Sequence, residues 1–202
     1  MKGEWMLIQI HGLTEEEIYK LAEISAEGFK DNPGFLLWGD DSNSRKYVLT
    51  QFFNIVLETL AANKMVYATS ENYEGICAFW TKKTRLNLKQ KFKMLKLIKY
   101  FSIRRLAKLS KQFSGMKRAE HFVKEDDDYL FIFMVVVQEQ YRHQGYMRKM
   151  MEFLFGEAEK RNIPCILETD SKRNAEIYSY YGMKTESVQQ LSSELTYYIL
   201  KR

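Results

Sequence analysis

Nine successive residues from Tyr129 to Val137 are apolar or aromatic, bounded by Asp126-Asp127-Asp128 on one side and Gln138-Glu139-Gln140 on the other. A run of that length without alternation cannot turn one face to water, so it reads as a strand covered on both faces. Such a strand needs layers packed on either side of its sheet, which points to an α/β class of fold. A turn through Tyr141-Arg142-His143-Gln144-Gly145 follows. It leads into a helix with Met147, Met150, Met151, Leu154 and Ala158 on one side. Asn162-Ile163-Pro164 ends that helix, because proline forbids its continuation. Cys165 to Thr169 reads as a further short strand, Asn174 as the cap of a helix through Tyr181, and Gly182 as its terminator. Two last strands flank Ser192-Ser193.

Upstream, Met6 to Ile10 reads as a first strand. Thr14 and Glu17 form a capping-box signature for a helix with Ile18, Leu21, Ala22, Ser25 and Phe29 on one face, ending before Asn32-Pro33-Gly34. A second helix follows the cap region 39–43, with Tyr47, Phe53, Val56, Leu57 and Leu60 inward and Asn63 closing it. Met65 to Ser70 and Gly75 to Thr81 form an antiparallel hairpin around Glu71-Asn72-Tyr73-Glu74. Leu88, Phe92 and Leu95, then Leu106, Leu109 and Phe113, are spaced for one or two amphipathic helices broken near Ser102. The order is β-α-α-β-β-(helical insert)-β-α-β-α-β-β. We read residues 1–202 as a single domain with a basic helical insert over 82–118.

Charge is distributed unevenly. The stretch 82–118 holds fourteen of the 31 Lys and Arg and no Asp or Glu, which leaves seventeen bases against 26 acids elsewhere, a net −9. The block reads first as a solvated basic face, or else as an attractor of anions, membranes or nucleic acid. It lacks a groove-reading motif, and the acidic remainder would repel a polyanion, so nucleic acid is disfavoured. No apolar run reaches the ~20 residues of a membrane span, and no export signal follows the N-terminal apolar patch. Cys77 and Cys165 are too few for a disulfide scaffold, and no metal-ligand spacing is present. These features place the chain in the cytoplasm.

A buried strand running through a turn with Gly145 into a helix is an anion site in outline. The first N–H groups of the helix lack partners, the helix dipole favours negative charge, and Arg142 adds a fixed cation. Arg142, Gly145 and Met147 fall on the Arg/Gln-x-x-Gly-x-Gly/Ala signature of the GNAT superfamily of acetyltransferases, with Met147 departing from its third position. Ile166-Leu167-Glu168-Thr169 resembles the next strand of that family, and Tyr178-Ser179-Tyr180-Tyr181-Gly182-Met183 its Tyr-x-x-x-Gly-Phe motif. The resemblance is specific over Tyr129 to Met183. It implies a mixed, mostly antiparallel sheet of six to seven strands flanked by helices, with two central parallel strands splayed at the cofactor site. It also implies acetyl-CoA, with pantetheine along Val135, Val136 and Val137 and pyrophosphate on the backbone from Arg142 through His143, Gln144, Gly145 and Tyr146 to Met147. Asn174 and Tyr181 would add cofactor contacts.

The implied activity is transfer of an acetyl group to an amine by direct attack in a ternary complex. Tyr178 stands where the family carries its general acid, and a phenol of pKa ~10 suits a thiolate. Glu168, at the open end of its strand, is the candidate base. Phe29, Phe35 and Trp38 would line the acceptor pocket of an amine-bearing small molecule or peptide. Cys165 has no His spaced to activate it, and His121 reads as structural. A non-catalytic CoA-binding domain or a basic nucleic-acid or membrane-binding module are the alternatives, and a homodimer is left open.

Overall fold

The computed structural model describes residues 7–125 and 127–202, so Met6 and Asp126, both named above, lie outside the described residues. Strand β1 is short, Ile8–Gln9. Thr14 then caps helix α1 (Glu15–Phe29) reciprocally with Glu17, and Leu21, Ala22 and Ser25 are buried along the expected face. Pro33–Trp38 forms a 3-10 turn in which Pro33 tolerates the helix start because its missing N–H would have no partner there. Asp41 and Ser44 form the capping box of α2 (Ser42–Ala62), which Asn63 closes. Phe53, Val56, Leu57 and Leu60 are buried as expected, but Tyr47 is not. It is half exposed because its ring meets Tyr100 of the basic insert, edge to face at 5.5 Å, outside the core.

Strands β2 (Val66–Ala68) and β3 (Gly75–Thr81) form the expected antiparallel pair. The basic insert holds two helices, α3 (Leu88–Lys96) and α4 (Ile103–Gln112), with Ser102 as the N-cap of α4. The face that α3 buries differs from the one its spacing suggested. Gln90 and Leu97 are buried, and Lys93 pairs with Glu58 of α2 at 2.6 Å. Leu88, Phe92 and Leu95 are therefore left in solvent, 83%, 63% and 61% exposed, because they lie on the opposite side of the same helix. Strand β4 (Leu130–Val137) follows, then α5 (Tyr146–Lys160), β5 (Cys165–Thr169), α6 (Lys172–Tyr180), β6 (Lys184–Gln190) and β7 (Thr196–Lys201). The cap of α6 is Ser171, whose Oγ accepts the Asn174 N–H at 3.2 Å, so Asn174 sits one turn later than expected.

Among the described residues seven strands form one mixed sheet in the order β1-β2-β3-β4-β5-β7-β6, and there β4 and β5 are the only parallel pair. Helices α1 and α2 cover one face and pack on Met134 and Val136. Met150, Met151 and Leu154 of α5 with Ala175 of α6 cover the other, over Leu130, Ile132 and Leu167. The parallel pair carries the functional consequence. Leu130 faces Cys165 and Phe131 faces Ile166, and beyond these two positions the strands are no longer paired. On its other edge β4 shifts register between Ala78 and Phe79 of β3, leaving Phe133 as an extra residue, and such a bulge bends and twists its strand. A wedge thus opens in the middle of the sheet, between Ile132–Val137 and Leu167–Thr169.

Candidate active site

The wedge leads into a cavity of about 1190 Å³. Among the sequence-derived site residues, Val135, Val136, Val137, Arg142, His143, Gly145, Tyr146, Met147, Asn174 and Tyr181 line it, as do Glu168, Tyr178, Phe29, Phe35 and Trp38. Gln144 does not. Its side-chain amide instead donates to the Gln140 carbonyl at 3.2 Å, bracing the turn from behind.

At one end of the cavity the chain passes from β4 through a 3-10 turn, Glu139–Tyr141, to Gly145 at φ +84°, the N-cap of α5. That left-handed conformation favours glycine, and a Cβ added there would meet nothing within 4 Å, so the loop is open where a side chain would stand. His143 is also left-handed, at φ +65°. The backbone N–H groups from His143 to Met147 find no acceptor among the described residues. They form a cluster of donors at the positive end of a fifteen-residue helix, beside the exposed Arg142 side chain. Met147 is partly buried, packing against the α5 core while also bordering the cavity.

Tyr178 lies deeper, on α6, only 9% exposed. Its hydroxyl has no hydrogen-bond partner among the described residues and faces the cavity it lines. Burial, and then the nearby Asp170 charge, push its pKa up to about 12, so it stays protonated at neutral pH.

Two carboxylates mark the end of β5. Glu168 is nearly enclosed: Arg118 meets its Oε2 at 3.0 Å, and the Ala119 N–H donates to Oε1 at 2.7 Å. Burial raises its pKa, and Arg118 partly offsets that. Both its oxygens are engaged in fastening the end of the basic insert to the sheet. Asp170, which the sequence did not single out, accepts the Gly34 N–H on Oδ2 at 2.6 Å. No cation pairs with it among the described residues, and burial raises its pKa. Only its place one residue past a short strand could have drawn attention to it.

The opposite wall is aromatic. Phe29, Phe35 and Trp38 come together as expected, joined by Phe52, Trp80 and Phe133, while Phe113 from the end of the insert meets Tyr197 at 5.8 Å. Cys165 is a buried thiol with its pKa pushed up to about 12, and Cys77 is shifted up too, so neither offers a thiolate. Among the described residues no group of His, Cys, Asp and Glu could hold a metal ion, and no helix is long and apolar enough to cross a membrane.

Residues 91–183 match the model of the acetyltransferase (GNAT) family. Among solved structures, a Corynebacterium glutamicum protein named histone acetyltransferase HPA2 and related acetyltransferase is similar at 16% identity. It covers 97% of this chain and 96% of its own, with a TM-score of 0.62. Arylalkylamine N-acetyltransferase 2 from Aedes aegypti is similar at 14% identity over 94% of this chain and 95% of its own, with a TM-score of 0.57. The NatC complex bound to Gag peptide and CoA contains a chain similar at 12% identity over 97% and 96%, with a TM-score of 0.52. No curated protein matches the sequence. At these identities the structures speak for the fold, and the family match for the stretch that builds the wedge and the donor loop. The match to the acetyltransferase (GNAT) family therefore stands for residues 91–183, within a fold that solved acetyltransferases share along nearly the whole length of this chain.

Proposed function

We propose that the protein is an acetyl-CoA-dependent N-acetyltransferase acting on an amine acceptor by direct attack in a ternary complex. The observation that carries this is the wedge between β4 and β5, which joins the unpartnered N–H groups of His143–Met147 at one end to the free Tyr178 hydroxyl at the other. The residues fit the cofactor. Val135, Val136 and Val137 offer an unpaired strand edge, the loop from Arg142 to Met147 offers donors and a cation for a pyrophosphate, and Asn174 and Tyr181 stand across the cavity. Acetyl-CoA, when bound, supplies the activated acetyl group and a thiolate to be protonated.

Tyr178 holds the proton for that thiolate on its Oη, and its raised pKa keeps it there at working pH. Glu168, the base expected from sequence, has both oxygens occupied, so we assign it the positioning of Arg118 and the insert at the cavity wall. In this reading residues 1–202 act as one domain whose insert, through Phe113 and Arg118, closes the acceptor side. The two buried thiols fit a reducing cytoplasm.

The test is thermal stabilisation by acetyl-CoA, followed by turnover against a panel of amines. A ligand that binds only the native state raises the melting temperature by mass action. Gly145→Glu places a carboxylate among the loop donors, in a left-handed conformation, and should abolish the shift. An unchanged melting temperature at saturating acetyl-CoA sinks this proposal. A shift without turnover on any amine would make the protein a CoA-binding domain instead.

A further inference from the structure

Six rings form an arc along one wall of the cavity. Phe29 meets Phe35 at 6.2 Å between centroids, Phe35 meets Trp38 at 5.3 Å and Trp38 meets Phe52 at 5.2 Å. The arc continues from Phe52 to Phe133 at 6.2 Å and from Phe133 to Trp80 at 5.1 Å. All six are only partly buried although they lie inside the molecule, so each leaves ring surface facing the cavity. Open apolar surface of this extent is what a ligand of matching shape covers.

Asp170 stands at the end of the same cavity as a carboxylate with no cation. Three elements converge there because residue 34 is glycine. A Cβ at Gly34 would lie 2.8 Å from Asp170 Oδ2 and 3.0 Å from the Tyr197 hydroxyl. The charged groups near Asp170 do not neutralise it: Arg118 is spent on Glu168, and Arg173 of α6 is exposed and makes no ion pair among the described residues. Its other neighbours are the phenols of Tyr178 and Tyr197, both held in their protonated form partly by its charge. A carboxylate desolvated without a counter-ion is unfavourable, and a ligand cation would relieve it.

We propose that the acceptor is a primary amine carrying an aromatic ring, bound through its ammonium to Asp170 and through its ring to the arc from Phe29 to Trp80. This rests on the acyltransferase reading above and specifies its acceptor. Asp170 also takes the proton that must leave before attack: an N–H bond of R–NH3+ breaks, an O–H bond forms on the carboxylate, and R–NH2 is left beside Tyr178. The acid then passes the proton to water at the mouth of the cavity. The wall disfavours other amines. A sugar amine would face rings where it needs hydrogen bonds, and a polyamine would need a second free carboxylate, which Glu168 does not provide.

The experiment measures binding of phenethylamine, 2-phenylethanol, putrescine and ethanolamine to the wild type without acetyl-CoA, and turnover with it. Phenethylamine should bind, and should exceed putrescine and ethanolamine in kcat/KM. Its neutral alcohol should bind far more weakly. Asp170→Asn keeps an acceptor for the Gly34 N–H, so it should fold and retain the acetyl-CoA shift. It should weaken phenethylamine binding by at least ~30-fold, as expected when one partner of a desolvated charge pair is removed. Trp38→Ala should raise KM for phenethylamine and leave that for ethanolamine unchanged. Equal or better kcat/KM with the polar amines, or unchanged phenethylamine binding in Asp170→Asn, overturns the proposal. Failure of the acyltransferase reading shows separately, as a missing acetyl-CoA shift in the wild type.

The direction in which α3 faces carries a second, independent inference. Leu88, Phe92 and Leu95 share one side by their spacing, and Ile98 and Ile103 beyond them are 50% and 87% exposed. Lys89, Lys91, Lys96 and Lys99 border this stripe, and no acid lies anywhere in 82–118. We infer that this face rests on an anionic lipid surface, with its apolar side chains in the interface and its lysines reaching the headgroups along their aliphatic stems. A second copy is disfavoured as the occupant, because stacking the stripe on itself would bring cationic borders together.

Vesicle flotation tests it. The protein should float with phosphatidylcholine vesicles containing 30% phosphatidylglycerol and not with pure phosphatidylcholine. Replacing Leu88, Phe92 and Leu95 together by Ser, on a face that makes no core contact, should reduce binding by about tenfold or more while the acetyl-CoA shift is retained. Absence of flotation, equal flotation of the triple variant, or a dimer that the triple variant dissociates would each overturn it.

Discussion

The Asp170 carboxylate accepts the backbone N–H of Gly34 at 2.6 Å across 136 residues of chain, tying the turn between the first two helices to the end of β5. Gly34 is buried, and its missing side chain is what lets Asp170 and Tyr197 approach. Gly34→Ala must therefore push both away. Overpacking of this kind costs about 1–3 kcal/mol, measurable by denaturant unfolding. The acceptor KM should rise while stabilisation by acetyl-CoA is unchanged, since the donor loop at Gly145 is built from other elements.

Asp170→Asn should have an opposite signature in stability. Burial raises the folded-state pKa of Asp170 above its ordinary 3.8, so the folded protein keeps this proton where the unfolded chain has lost it. The group's contribution to stability is full below 3.8 and is lost as pH rises through the folded value. The amide has no such dependence. Thermal scans should show the variant gaining on the wild type from pH 4 to pH 7, and a constant difference would show that Asp170 is not desolvated.

Tyr178→Phe removes the proton and keeps the ring. General acid catalysis is typically worth ~10²- to 10⁴-fold, and turnover should fall within that range. With the phenol pKa at about 12, the loss should lower the plateau of the pH–rate profile and leave its acid limb in place. A loss under about threefold would return Tyr178 to a packing role, since it lies well below that range.

The elements legible in the sequence were those fixed by neighbouring residues. Thr14 with Glu17 caps α1 within one turn, the cap region 39–43 holds the Asp41 that caps α2 with Ser44, and the break expected near Ser102 is the N-cap of α4. The unbroken run at β4 announced a strand covered on both faces, and Gly145 announced the loop after it. Features that depend on distant partners were not legible. Asp170 matters because of Gly34 and the phenols on two other elements, none of which is near it in spacing except Tyr178. In α3 two faces compete: Leu88, Phe92 and Leu95 are the more apolar, but the face with buried Gln90 and with Lys93, paired to Glu58 of α2, is the one turned inward. Periodicity cannot rank them without that surface.

Glu168 and Arg118 can be separated by paired substitutions. Arg118→Ala leaves an enclosed carboxylate with one backbone donor, whereas Glu168→Gln leaves a half-exposed cation that water can solvate and an amide oxygen for the Ala119 N–H. Arg118→Ala should cost about 1–3 kcal/mol, below the ~3–5 kcal/mol of a fully buried pair because Arg118 is half in water. Glu168→Gln should cost less, and both should lower activity modestly if Glu168 only positions the insert. Denaturant unfolding and steady-state kinetics on both variants check this. A loss of ~10²-fold or more in Glu168→Gln, without a matching loss in Arg118→Ala, would restore Glu168 as the base.

The parting of β4 from β5 beyond Phe131 and Ile166 leaves two strand edges inside the sheet rather than at its rim. Rim edges invite other chains, but these are walled in by helices on both faces and can be reached only by something slender enough to enter the cavity. A guest that runs along β4 would complete a ladder the protein leaves unfinished. Occupancy should then be written in the exchange of backbone hydrogens: amides pointing into the wedge from Val135 to Val137 should trade with deuterium readily in the bare chain. They should slow when the groove is filled, while those of the paired segment at Leu130 and Phe131 remain protected throughout.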